Sequence, residues 1–114
     1  MINNFRELLP RLGLDKTLVI SAAPFRKVSR GGANRGVQVD LLLQTRRSIY
    51  LIEIKRRNEL GYEVVDEMDE KISRITRPHG VSIKTALVFA GNLAKTVEAD
   101  GYIDAIIDIR DIII

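Results

Sequence analysis

The chain contains no cysteine, which excludes disulfides and thiolate metal sites, and no tryptophan. It has one histidine, His79, set between Pro78 and Gly80 in an expected turn, where no catalytic role is assigned to it. Six Tyr and Phe residues in all make a base-stacking platform for reading single strands improbable on composition. No Gly-x-x-x-x-Gly-Lys loop is present, so this chain is not itself an NTPase of that class. No apolar stretch is long enough to span a bilayer, and the start lacks a signal-peptide core. A cytoplasmic protein with no membrane partner is the expectation.

What is present is ordinary for a folded domain. Apolar residues make up 46% of 114 residues and charged residues 29%, with a net charge of +3. That length suits a single hydrophobic core, so residues 1–114 are read as one domain. The mild positive charge permits a polyanionic partner without requiring one.

Hydrophobic periodicity sets the element order. Ile2, Phe5, Leu8, Leu9 and Leu12 recur at helical spacing, with Asn4 and Glu7 as a capping pair and Pro10 as a disturbance. Residues Thr17–Val28 read as a strand, with Pro24 marking an edge or bend. The loop "SRGGANRG" follows, with two arginines and three glycines. Two strands come next, within "VDLLLQTRRSIYLIEIK". Val65, Met68, Ile72 and Ile75 mark one face of a second helix. "KTALVFA" reads as a buried strand, and the residues from Gly91 to Gly101 as a connection with room for a helical turn. An apolar segment, Ile103–Ile114, closes the sequence. The expectation is an α/β fold of order α-β-β-β-α-β plus a final strand, with a central mixed sheet flanked by helices. The closing Ile112, Ile113 and Ile114 suggest either a buried strand or a sticky edge that joins a homodimer.

The central pair of strands raises a problem. A hairpin turn centred between Arg46 and Arg47 places Leu42 opposite Leu51 and Asp40 opposite Glu53. Lys55 then shares the face of Glu53, while Val39, Leu41, Leu43, Ile52 and Ile54 form an apolar face that also receives Tyr50. Two carboxylates opposite one another repel, and burial worsens this. A hard divalent cation relieves it, because magnesium takes one or two carboxylates plus water and phosphate oxygen. Cation, lysine and phosphate oxygen together are the parts of phosphodiester hydrolysis. The alternative is structural. A one-residue slip sends Asp40 and Glu53 to opposite faces, or Asp40 pairs with Lys55 or an arginine at a half-exposed edge.

Asp40, the hairpin and Glu53-Ile54-Lys55 resemble the Asp…Glu-x-Lys signature of the PD-(D/E)XK nuclease superfamily, the restriction-endonuclease-like fold. The stretch "GVQVDLLLQTRRSIYLIEIK" is similar to the nuclease-like domain at the C-terminus of prokaryotic AAA-type ATPases. The similarity runs from about Phe5 to the end of the sequence. It implies a three-layer core and a metal-dependent hydrolase of DNA phosphodiester bonds. By the same resemblance Asp40, Glu53 and the Ile54 carbonyl would ligate Mg²⁺ or Mn²⁺, and Lys55 would orient the attacking water. Some members add a glutamate from the first helix; Glu7 is the residue available, beside its capping role. Proline is common before the aspartate, where this chain has Val39.

The expected partners are DNA and an ATPase module in cis or in trans. Arg30 and Arg35 in the Gly-rich loop, Gln38 and Arg57 are the candidates for touching DNA, with ordinary solvation as the competing reading. Arg74 and Arg77 suit the end of the second helix, and Lys71 is that helix's best candidate for a neighbour of the site, with an exposed lysine as the safer reading. The resemblance also leaves open an inactive DNA-binding or regulatory module that keeps the nuclease fold.

Overall fold

The computed structural model describes residues 5–27 and 37–111. Arg30 and Arg35, the Asn4 cap and Ile112–Ile114 with the dimer edge expected there all lie outside the described residues. The fold is α/β. Strands β1 (Val19–Lys27), β2 (Val37–Thr45), β3 (Ser48–Leu60), β4 (Ser82–Leu93) and β5 (Ala105–Asp108) form one sheet in sequential order. The first three strands pair antiparallel, and β3–β4 and β4–β5 pair parallel. Parallel neighbours require crossovers. Helices α1 (Glu63–Ser73) and α2 (Lys95–Asp100) provide them. Neither described helix is long and apolar enough to cross a membrane.

The central strands β3 and β4 are buried on both faces. Leu51, Leu87 and Phe89 pack with Val64, Val65 and Met68 of α1 and Val97 of α2. Leu43, Tyr50, Ile52, Ala86, Val88 and Ile107 face the other way, against Leu8, Leu9 and Ile109. Strand β4 thus alternates its residues between two cores, which is why "KTALVFA" carries no polar face. Helix α1 forms because Val65, Met68 and Ile72 recur on one side, with Glu63 and Asp66 in the first turn and Lys71 in the last, each suiting the helix dipole.

The expected N-terminal helix is not an α-helix. The described residues there form short 3-10 turns, Phe5–Glu7, Pro10–Leu12 and Lys16–Leu18. Pro10 lacks an N–H and crowds the carbonyl four residues earlier, so an α-helix cannot run through it. Gly13, at φ 72°, closes the second turn. The layer on this face of the sheet is therefore built from 3-10 turns, while α1 and α2 cover the other.

Two of the sheet's three described register shifts flank the centre of β3; the third lies at the start of β1. Ala23 pairs with Leu42 and Phe25 with Val39, so β2 carries an extra residue at Asp40–Leu41, opposite Pro24. Proline has no N–H to give the ladder, so the interruption falls there. The extra residue also reverses the alternation of β2. Val39 packs with Leu51 and α1, not with Leu41 and Leu43 as simple alternation predicts. The second bulge puts an extra residue in β3 between the Arg56–Ala90 and Glu59–Asn92 pairs. Gly91 lies across from it at φ 131°, and an added Cβ would stand 1.7 Å from the Arg57 carbonyl oxygen. Only glycine fits that approach. Gly91→Ala is expected to lower the unfolding free energy by about 2–3 kcal/mol, read as a lower urea midpoint by circular dichroism.

Candidate functional site

Strands β2 and β3 pair as Leu41–Ile52, Leu42–Leu51, Leu43–Tyr50 and Gln44–Ile49, the register of a turn centred between Arg46 and Arg47. Arg-Arg is not a favoured turn pair, and the Thr45 hydroxyl compensates. It donates to the Ser48 carbonyl at 3.3 Å and accepts the Ser48 N–H at 3.1 Å. The paired register ends at Leu41–Ile52, beside the bulge. Beyond that rung the carboxylates take over. The Asp40 N–H donates to Glu53 Oε2 at 3.2 Å, and the Ile54 N–H donates to Asp40 Oδ2 at 2.8 Å. Each acid satisfies a backbone donor of the opposite strand without a register slip; burial and the Asp40 side chain still raise the Glu53 carboxyl, and the Lys71 ammonium and the Asp40 N–H work against them.

Glu53 has 0% of its surface exposed. Burial pushes its carboxyl above the ordinary glutamate value of 4.5, against the pull of the Lys71 ammonium. Lys71 reaches from α1 and hydrogen-bonds Glu53 Oε1. Lys55 turns to the same helix, with its Nζ 2.9 Å from Glu67 Oε2. The Arg57 guanidinium joins Glu67 at 3.2 Å. Burial raises the Glu67 carboxyl, but Lys55 and Arg57 outweigh it and hold the group below its ordinary range. Asp40 and Glu53 therefore meet across the two strands, and Lys55, two residues beyond Glu53, turns to Glu67 of α1. Lys71 is a direct partner of Glu53, a closer role than a bordering lysine. Glu67 is the residue that sequence reasoning missed. Its signal is the one-turn spacing from Lys71 on a helix that follows a Glu-x-Lys strand.

The remaining expectations divide. The Ile54 N–H is the main-chain group tied to the pair. Glu7 is exposed, on a turn whose neighbours Leu8 and Leu9 pack against the sheet face away from α1. It does not join the carboxylates. Gln38 pairs with Arg26 and is exposed; as the neighbour of Val39 it turns away from α1. Arg57 lies beside Lys55 but is shared with Glu67.

Among the described residues no group of three or more His, Cys, Asp or Glu side chains is arranged to hold a metal. The donor chemistry at the site is two carboxylates, Asp40 and the buried Glu53, the second of which is held by the Lys71 ammonium. That fits a magnesium-type ion completed by water and substrate, and it does not fit an ion caged entirely by protein. No family model, curated protein or solved structure matches this chain. The functional reading therefore rests on the residues and their geometry.

A raised carboxyl makes the native state bind its proton more tightly than the unfolded chain does. The contribution of Glu53 to stability is then complete at low pH and declines as pH rises from 4.5 through the folded value. Glu53→Gln in metal-free protein is expected to gain stability relative to wild type as pH rises across that interval. Chemical denaturation at a series of pH values measures it; a pH-independent difference would refute the burial argument.

Proposed function

We propose that this chain is a metal-dependent nuclease domain of the restriction-endonuclease-like fold that hydrolyses DNA phosphodiester bonds. One observation carries the reading: Asp40 and Glu53 are linked across β2 and β3 beside the last rung of their register, with Glu53 buried and Lys55 two residues along the same strand. The mixed α/β sheet and the sequence resemblance support it. Asp40 and Glu53 would hold Mg²⁺ or Mn²⁺ through their carboxylate oxygens. A bound divalent cation supplies positive charge at the phosphoryl oxygen and acidifies water. The Lys55 ammonium, released from Glu67, donates hydrogen bonds to the attacking water or to a phosphate oxygen. The Arg57–Glu67 pair is half-exposed and easily screened, so Arg57 is available to a DNA phosphate.

A second reading is favoured by one observation. Lys71 already neutralises Glu53, and Glu67 already neutralises Lys55. A chain with its charges so matched has no need of a metal to fold. It would serve as a DNA-binding or regulatory module of an ATPase.

Asp40→Asn keeps an oxygen for the Ile54 N–H and preserves the fold, while Lys55→Ala leaves Glu67 with Arg57. Each is expected to reduce Mn²⁺-dependent cleavage of duplex, single-stranded and branched DNA by at least about a hundredfold. Unchanged cleavage by both variants would reject the nuclease. Salt-dependent DNA binding by the wild type without any cleavage would favour the module.

A further inference from the structure

Helix α1 presents to β3 a charge pattern opposite to that of the signature itself. Glu53 and Lys55 are two residues apart on a strand and point the same way. Glu67 and Lys71 are four apart on a helix and also share a face. The two spacings are alike, and the pairs meet with signs crossed: Lys71 on Glu53, Glu67 on Lys55. The two ends of the Glu53 pairing differ in solvent access. Glu53 is fully enclosed, while the Lys71 side chain is 25% exposed and lies in the last turn of α1. A lysine on a flexible four-carbon stem at that edge can leave for water; Glu53 cannot.

We propose that α1 is a built-in charge clamp, in which the Lys71 ammonium occupies the cation position on Glu53 and a divalent ion binds by displacing it. This rests on the metal-site reading above and adds its regulation. The resting form is self-neutralised. Glu53 Oε1, the oxygen that Lys71 holds, becomes a ligand only after the ammonium withdraws. Any contact that draws the end of α1 from β3, such as a phosphate attracting Lys71, would then favour metal binding by removing a competitor. The clamp therefore couples substrate arrival to metal loading.

Calorimetric titration of Mn²⁺ into wild type, Lys71→Gln and Lys71→Arg tests this. Glutamine keeps a hydrogen-bond donor for Glu53 without the charge, and arginine keeps the charge. Lys71→Gln is expected to bind Mn²⁺ about tenfold or more tighter than wild type, with Lys71→Arg close to wild type. Should Lys71→Gln fail to fold, the wild type alone decides. The ¹⁵N-resolved ammonium signal of Lys71, slowed in exchange by its pairing, is expected to vanish when Mg²⁺ is added. Equal Mn²⁺ affinity in wild type and Lys71→Gln, or an ammonium signal unmoved at saturating Mg²⁺, would overturn the clamp and leave the metal site standing. Absence of binding in every protein tested would overturn both.

Discussion

A carboxylate enclosed in the middle strand of a sheet must be neutralised in place, because moving a lone charge out of water costs several kcal/mol in real proteins. Glu53 is that group, and the surrounding structure is arranged to meet the demand. One oxygen takes the Asp40 N–H and the other takes Lys71. Helix α1 is committed by this to a fixed rotation on the sheet, since the turn that brings Lys71 to Glu53 also brings Glu67 to Lys55 and buries Val64, Val65 and Met68. Apolar packing alone would tolerate some sliding of the helix. The two crossed ion pairs set its register along β3.

The position of Asp40 depends on a different constraint. Pro24 cannot complete the β1–β2 ladder, and the bulge opposite it frees Asp40 from regular pairing on one side. On the other side the main-chain register with β3 has already ended. Asp40 therefore spans a gap between strands and holds it with its side chain. A proline in an edge strand thus shapes the place where two acids converge, one strand away from itself.

Much of this was legible in the residues. The order of strands, the apolar run of β4 and the face of α1 follow from periodicity. The hairpin register follows from the position of Arg46-Arg47 between two apolar runs, even though that pair is a poor turn; apolar burial on both sides outweighed turn preference, with Thr45 closing the turn. The N-terminal segment misled because Leu8, Leu9 and Leu12 keep a helical spacing, and 3-10 turns bury the same leucines while tolerating Pro10. Val39 misled because alternation assumes an unbroken strand, and one extra residue reverses it.

By itself, the sequence determined that Asp40, Glu53 and Lys55 lie on adjoining strands near one another, because strand geometry and hairpin register are local properties. It also determined that a helix rich in both charges follows them. Only the tertiary structure decided that Glu53 is wholly buried, that Lys71 is its counter-charge and that Glu67 holds Lys55. Those pairings join residues 12 to 18 positions apart across a helix–sheet contact. Their choice depends on how α1 is rotated and how deeply it sits, which its apolar face and the two ion pairs settle together and no local stretch of sequence specifies.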